Sequence, residues 1–420
     1  VPIKFIHAAD LHIDSPLTGL DRYEGAPVEE LRNSTRAAFQ NLIGLAIEER
    51  VAFVLLAGDV FDGDWRDFRT GLFFVSELQK LNDADIPVFI VHGNHDSEGG
   101  MTKRLPLPDN VHVFSSRTAE TRRLEDKGVA IHGRSFPERH VPEDLVPDYP
   151  VPIDGYFNIG ILHTSLTGRP GHAVYAPTSE QTLTEKGYDY WALGHVHARE
   201  VVSESPRIVF PGNIQGRHAR ETGAKGCDLV TVKEDGTVIN EPVELDVVRW
   251  HRTTLDLTGI DDDVGLKEAV IGCLEALAIQ GQDRLLAVRI ILIGQSRLNE
   301  KEAQTPGVLS ATVQAASFEV SAGQVWVEKV VNQLSPIIDR EHEARRDDAV
   351  GELVRLVDDI KSDPDTLKQF MNDQMKECLA VLPSDLRDLE VLLGERGLEG
   401  LLTDAEATIL ASLSAGGTRP

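Results

Sequence analysis

The chain has 420 residues, with 42 Lys and Arg against 68 Asp and Glu, a formal net charge of −26 at pH 7. That length suits two or three domains with ample core, and 41% hydrophobic with 26% charged residues excludes disordered and fibrous classes. No apolar run approaches the roughly 20 residues needed to span a membrane. The three cysteines, Cys227, Cys273 and Cys378, form no CxxC pair, which excludes a disulfide framework and a zinc knuckle and leaves them as buried, inert residues. Val1 to Ile6 carries no basic region, apolar core and cleavage site, so it reads as a strand and the expected location is cytoplasmic. The acidity works against a nucleic-acid partner, because duplex binding draws on Lys and Arg. Residues 331–420 are the most acidic part of the chain per residue.

In chain order, residues 3–9 read as a strand that ends in Asp10-Leu11-His12-Ile13-Asp14. Pro27 to Arg50 reads as a helix, with Pro at the start, Glu29 and Glu30 in the first turn and apolar residues at helical spacing. Strand 51–57, helix 66–83 and strand 86–91 continue a βαβ alternation, which implies a parallel sheet with right-handed crossovers. The segment 102–155 reads as further sheet with surface loops, including Gly128 to Gly133. Phe157 to Leu162 and Tyr190 to Gly194 are two more apolar runs, followed by strand-like pieces at 207–210, 228–233 and 237–245. Residues 1–245 thus form an α/β domain. Residues 246–330 hold two β-rich runs, 252–257 and 285–293, around a helix at 264–279, which predicts a small α+β domain. After Val331 the pattern is Leu-spaced and charged, broken by Pro336, Pro364 and Pro383, which predicts a helical segment over 331–420.

The chemistry gathers at strand ends. Leu55-Leu56-Ala57-Gly58-Asp59-Val60-Phe61-Asp62 and Val91-His92-Gly93-Asn94-His95-Asp96 each run from apolar residues abruptly into metal-binding side chains. Gly58 and Gly93 suit tight turns that free the next polar group to reach a cation. The candidate ligands are Asp10, His12, Asp59, Asn94, His163, His195 and His197, each just past a predicted strand, where an α/β sheet presents its site. Carboxylate, amide and imidazole without thiolate favour manganese, iron or zinc, and seven ligands favour two ions over one. Two ions can clamp both oxygens of a phosphoester displacement. Asp59 is the natural bridging carboxylate. His95 is better suited to touch phosphate and donate a proton than to bind metal, and Asp62 is placed to hold it protonated.

The remaining polar residues read more plainly. His7 and His132 face a core or interface. His92, His112, His140, His251 and His342 are surface residues or neighbours of the site. Asp14 is a turn residue. Arg217 and His218, after Pro211-Gly212-Asn213, read equally as substrate contacts or as loop structure.

These motifs resemble the calcineurin-like metallophosphoesterase superfamily, whose pattern runs D-x-H, GD-x-x-D, GNH[DE], H, GH-x-H. Asp10-Leu11-His12, Gly58-Asp59-Val60-Phe61-Asp62, Gly93-Asn94-His95-Asp96, His163 and Gly194-His195-Val196-His197 fill it. Gly63-Asp64 stands where protein phosphatases carry Arg-Gly. Within the superfamily, Ala57 to Asp62 and Gly93 to Ser97 resemble SbcD-type DNA repair nucleases. His7 to Pro16 and Pro211 to His218 are similar to the bacterial YhaO exonuclease-like family, a likeness that covers residues 1–245 by motif and the remainder by layout. SbcD-type enzymes usually have Gly where this chain has Asp14.

The resemblance implies a sheet sandwich flanked by helices and a pair of metal ions, usually Mn2+. One would be held by Asp10, His12, Asp59 and His197, the other by Asp59, Asn94, His163 and His195, with His95 catalytic. It implies cleavage of DNA, chiefly exonucleolytic, a capping domain at 246–330 that guides nucleic acid, and C-terminal helices that dock on an SbcC-like coiled-coil ATPase. It also implies a homodimer through the phosphoesterase domain. Two other functions stay open. One is a phosphodiesterase or pyrophosphatase for a small nucleotide, which suits the acidic surface. The other is a non-catalytic assembly subunit whose metal site serves structure.

Overall fold

A computed structural model describes residues 2–15, 26–63, 68–96, 105–167, 175–320, 324–337, 340–380 and 397–416. Asp64, positions 66 and 67 of the expected helix, Ser97, Pro16 and the expected helical stretch around Pro383 lie outside them. The described residues divide into two compact units. The first comprises Val1–His251 with Gly281–Val288, and the second Arg252–Gln280 with Arg289–Pro420.

The first unit holds, among the described residues, two six-stranded sheets. One has the order β12-β11-β1-β2-β3-β4, built from β1 (Ile3–Ala8), β2 (Phe53–Ala57), β3 (Val88–Val91), β4 (Val111–Val113), β11 (Gly226–Val232) and β12 (Val238–Glu244). The other has the order β5-β6-β7-β8-β10-β9, built from β5 (Glu120–Leu124), β6 (Val129–Gly133), β7 (Phe157–His163), β8 (Tyr190–Gly194), β9 (Glu200–Glu204) and β10 (Arg207–Phe210). The parallel alternation predicted from 3–91 is present in β1–β2–β3–β4, while β11 and β12 add antiparallel strands to its edge. The second sheet likewise pairs β6, β7, β8 and β10 in parallel between antiparallel edges.

The period of two along each strand sorts side chains between two cores. Phe5, Phe53, Leu55, Ala57, Phe89 and Val91 of the first sheet pack with Ile131, Ile159, Ile161, Tyr190 and Ala192 of the second, which makes the sandwich. Their neighbours Ile6, Ala8, Val54 and Leu56 face the other way, onto Phe39, Leu42 and Ile43 of α1 (Val28–Glu48) and Phe74 and Leu78 of α2 (Phe68–Asp83). On the outer face of the second sheet, Trp191, Leu193, Ile208 and Phe210 pack with Tyr149, Tyr188 and Leu183 of α3 (Glu180–Glu185). Each sheet is therefore buried on both faces, which is why β2, β3 and β8 are apolar throughout.

His7 and His132 are both fully buried, as their apolar contexts predict. His7 donates from Nε2 to the Leu193 carbonyl at 3.0 Å and accepts at Nδ1 from the Tyr190 hydroxyl at 3.0 Å. Tyr190 in turn accepts from Asn240 at 3.0 Å, so the ring is satisfied only when neutral. Burial pulls its pKa down to about 3, against the Leu193 carbonyl, which favours the cation. The unfolded chain takes up a proton near pH 6.5 that the folded chain refuses. The stability His7 contributes is thus complete above pH 6.5 and is lost as pH falls toward 3. Between pH 6.5 and 5 that amounts to about 2 kcal/mol, at ~1.36 kcal/mol per pH unit. Urea unfolding of wild type and His7→Gln at the two pH values should show this extra loss in wild type only.

Cys227 is buried, and burial pushes its thiol well above the ordinary range, as expected of an inert residue. Cys273 is only half-buried, and it lies 3.8 Å from the Thr253 hydroxyl.

A three-stranded sheet of β13 (Val248–Asp256), β14 (Leu285–Gln295) and β15 (Val325–Ser335), with α4 at Asp263–Gly281, has most of its residues in the second unit. Two short helices, α5 (Leu298–Gln304) and α6 (Val308–Ser317), precede β15. Strand β15 extends to Ser335, past Val331, where the sequence pattern places the start of helical character. Arg289 and Glu328 are paired bidentately at 2.8 and 2.7 Å, which lets a carboxylate sit buried on β15. The following segment is helical as expected, with α7 (Arg340–Ala344), α8 (Ala349–Lys361), α9 (Pro364–Ala380) and α10 (Gly397–Gly416). Asp348 caps α8 by accepting from the Val350 and Gly351 amides. Val357, Ile360, Leu367, Met371 and Leu402 share one core across α8, α9 and α10. No helix among the described residues is long and apolar enough to cross a membrane.

Candidate metal centre

All seven ligands read from the sequence come together at the carboxyl ends of the strands of the two sheets. The loop after β1 zips onto the loop after β2: the Asp10, His12 and Ile13 amides donate to the Gly58, Asp59 and Val60 carbonyls at 2.9–3.0 Å. This draws Asp10, His12 and Asp59 into left-handed backbone at φ 51°, 45° and 50°, and His195 sits at φ 103°. Such conformations cost of order 1–3 kcal/mol each in non-glycine residues and cluster where function holds them in place.

Gly58 and Gly93 both leave room for the His163 ring, which a Cβ at Gly58 would approach to 2.4 Å. Gly58 has φ 91°, the turn expected of it. Gly93 is required for space: a Cβ there would lie 2.3 Å from Asp59 Oδ1 and 2.9 Å from the His163 ring.

Donor atoms form three groups, two of which share His12, and within each they lie no more than 4.8 Å apart. Asp10, His12 and His197 make one, Asp59, His163 and His195 another, and His12, Asp62 and His95 the third. His12 Nε2 and His197 Nε2 face each other at 3.3 Å, and Asp10 Oδ1 is 3.8 Å from the latter. His163 Nε2 lies 3.0 Å from Asn94 Oδ1 and 3.4 Å from Asp59 Oδ2. Asp59 Oδ1 also accepts the His95 amide at 2.9 Å, and Asp10 accepts the His195 amide at 3.0 and 3.1 Å.

The far side of each ring decides what the near side can do. His12 donates from Nδ1 to Asp62 at 2.5 Å, His197 from Nδ1 to Glu221 at 2.6 Å, and His163 from Nδ1 to the Ala57 carbonyl at 2.9 Å. With Nδ1 bound to an acceptor, Nε2 is the nitrogen of each ring left facing the other donors, the one a metal would take. Burial alone would raise the Asp59 carboxyl, yet the charges of His163, His12 and His95 hold it far below its ordinary range. Burial works against the His163 cation too, and Asp59 overrides it, pushing His163 up to about 9. A buried carboxylate that draws positive charge so strongly, ringed by oxygen and imidazole donors without thiolate, fits a pair of borderline divalent cations.

Asp62 does not serve His95 first. Its shorter bond goes to His12, the distance to His95 Nδ1 is 3.2 Å, and it also accepts from Ser15 and from Arg217 at 3.2 Å. Burial pulls the His95 pKa below the ordinary value despite Asp59 and Asp62, with His12 and Arg139 adding to the fall. Asp62 is thus shared: its Oδ1 makes the shorter bond to His12 and a longer contact to His95.

Arg217 and His218 part company. His218 is exposed, 3.8 Å from Glu221. Arg217 is only 15% exposed and its guanidinium lies between Asp62 and Glu221.

Two residues escaped the sequence reading. Glu221 orients His197, but nothing in its local sequence marks it, since it comes 24 positions later from another loop. Asp96, the last residue of GNHD, ties the two central turns together by accepting from the Val60, Phe61 and Gly93 amides at 2.9–3.2 Å. Its place in the motif was the available signal. Asp14 is a turn residue, as expected, at φ 58°, which explains the family preference for Gly there. Here it also accepts Arg36 at 2.5 and 2.7 Å and Thr70 at 2.5 Å, tying the ligand loop to α1 and α2.

Residues 3–199 match the family model described as calcineurin-like phosphoesterase, and residues 250–335 match the middle domain of metallophosphoesterase YhaO. The chain is 37% identical over 296 residues to the uncharacterized metallophosphoesterase YhaO of Bacillus subtilis, covering 70% of this chain and 72% of that protein. It is 24% identical over 283 residues to the DNA double-strand break repair protein Mre11 of Sulfurisphaera tokodaii, covering 62% of this chain and 67% of that one. It is 34% identical over 277 residues to the Mre11 protein of Aeropyrum pernix, covering 60% and 64%. With the two-sheet sandwich, the strand-end ligands and a relative this similar over most of its length, the chain belongs to the calcineurin-like metallophosphoesterase family.

Proposed function

We propose that this metallophosphoesterase is a two-metal phosphodiesterase that hydrolyses DNA, in the manner of an SbcD-like repair exonuclease or endonuclease. The observation that carries the chemistry is the pair of donor groups, Asp10/His12/His197 and Asp59/His163/His195, with His95 beside them. The DNA substrate rests on the relatives named as DNA double-strand break repair proteins. Asp10, His12, Asp59 and His197 would hold one ion and Asp59, Asn94, His163 and His195 the other, with manganese the first choice and iron or zinc the alternatives. Bound there, the ions would supply an activated water and neutralise charge on the phosphate.

The chain's own residues do the rest. Glu221 and Asp62 fix the His197 and His12 rings, and Asp96 holds the two central turns in register. His95 reaches the phosphate and gives a proton to the leaving oxygen, oriented by Asp62. His218, exposed at the rim, contacts substrate. Residues 246–330 act as the capping domain, and the helices of 331–420 dock an SbcC-like coiled-coil ATPase. The nuclease works in the cytoplasm, as a homodimer through α2 and the phosphoesterase domain.

A second reading is favoured by one observation, the net charge of −26, which repels a polyanion. In it the substrate is a small nucleotide ester. Protein with Mn2+ is given end-labelled duplex, single strand and bis-p-nitrophenyl phosphate over a salt series, with His95→Ala beside each. DNA cleavage that falls steeply with salt supports the nuclease. Cleavage of the small diester alone supports the second reading, and no cleavage of any of the three by wild type leaves only the assembly role.

A further inference from the structure

The carboxylates that orient His12 and His197 come from different loops, and one side chain joins them. Arg217 Nη1 donates to Asp62 Oδ2 at 3.2 Å and to Ser15 Oγ at 3.3 Å, while Nη2 donates to Glu221 Oε1 at 3.4 Å. The Arg217 amide donates to Glu221 Oε2 at 2.8 Å, and that oxygen also takes the Asn213 amide group at 3.1 Å. Asp62 holds His12 from one side and Glu221 holds His197 from the other, so that the two Nε2 atoms meet at 3.3 Å.

We propose that Arg217 is a positioning residue that clamps Asp62 to Glu221 and thereby holds the His12 and His197 rings at the spacing one metal ion needs. Two anionic carboxylates this close, each only 8% or 15% exposed, repel one another unless a cation lies between them. The planar guanidinium does so with two separate edges, which an ammonium cannot match. Arg217 is thereby withdrawn from the substrate role that its loop position suggests. Asp62 has a further duty at His95, so the same clamp links the half-site of the first ion to the residue proposed to handle the leaving oxygen. This inference rests on the two-metal reading above.

The test measures Mn2+ binding by calorimetry, apart from turnover, in wild type, Arg217→Gln, Arg217→Lys and Glu221→Gln. Far-UV circular dichroism of each checks that it is folded. Removing residues that orient metal ligands typically costs about 10–100-fold in metal affinity. Arg217→Gln is expected to weaken one of the two ions by about that factor and leave the other unchanged. Glu221→Gln should show the same single-ion defect, and Arg217→Lys a smaller one. With bis-p-nitrophenyl phosphate, saturating Mn2+ should restore most of the Arg217→Gln rate without a change in KM.

If both ions bind the Arg217 variants as tightly as wild type and KM rises instead, Arg217 is a substrate contact and the inference is overturned. If Arg217→Gln does not fold, Arg217→Lys and Glu221→Gln decide in the same way. Wild type that binds fewer than two ions overturns the two-metal reading and this inference with it, whereas two tight ions in every variant overturn the inference alone.

Discussion

Asp59→Asn is expected to reduce phosphodiesterase activity by at least about 10³-fold and to lower Mn2+ stoichiometry below two. A bound metal supplies several kcal/mol of transition-state stabilisation, and ~1.36 kcal/mol is tenfold in rate. The substitution isolates charge from shape. Asparagine keeps an oxygen to accept the His95 amide, which Asp59 Oδ1 accepts at 2.9 Å, so the turn after β3 should survive. It loses the anion that His163, His12 and His95 all stabilise and that would be shared between the two ions. Calorimetric titration with Mn2+ beside a single-turnover assay checks both halves. Two ions bound at wild-type affinity would show that Asp59 does not bridge them.

The second large effect is at His95. His95→Ala is expected to lower kcat by about 10²–10⁴-fold, the ordinary contribution of a positioned acid or base, while both Mn2+ ions remain bound. The ring stands apart from the Asp10/His12/His197 and Asp59/His163/His195 groups, and its side chain is 34% exposed. The turn that carries it is held instead by Asp59 and Asp96, which bind the His95 and Gly93 amides. Truncation should therefore leave the melting temperature nearly unchanged. Loss of an ion together with the rate would place His95 among the ligands. A residual rate within threefold of wild type would remove it from the chemistry.

These two substitutions separate roles that adjacent residues carry. Asn94 and His95 are neighbours in sequence, yet Asn94 Oδ1 points at His163 while the His95 ring turns toward His12 and Asp62. The turn makes this division, since consecutive side chains on a tight turn cannot aim at the same point. Gly93 makes it affordable in space, because any side chain there would strike Asp59.

How much of this was legible in the sequence depends on how local the cause is. Buried strands are continuous apolar runs, and each candidate ligand follows one immediately, so β1, β2, β3, β7 and β8 and the seven candidates could be read in order. The parallel centre of the first sheet followed from the alternation of strand and helix. The antiparallel strands β11 and β12 did not, because pairing with β1 joins residues more than two hundred positions apart. Strand β15 was cut short in the sequence reading for a similar reason: Asn332 and Gln333 look unlike strand until β14 supplies the ladder.

Within the site, ligand identity is a property of the motif, but tautomer and ring orientation belong to partners brought in by the fold. Glu221 reaches His197 from a distant loop, and Asp62 spends its strongest bond on His12 instead of His95. Arg217 reads equally as a substrate contact or as loop structure in sequence, and only the fold shows its guanidinium between two carboxylates. By itself the sequence determined the fold class and the class of reaction and nominated the candidate ligands, since these rest on side-chain types at fixed spacing from strand ends. Only the tertiary structure decided which nitrogens of His12, His163 and His197 are held by outside acceptors and which face the other donors, because hydrogen bonds act over about 3 Å in space with no regard for distance along the chain.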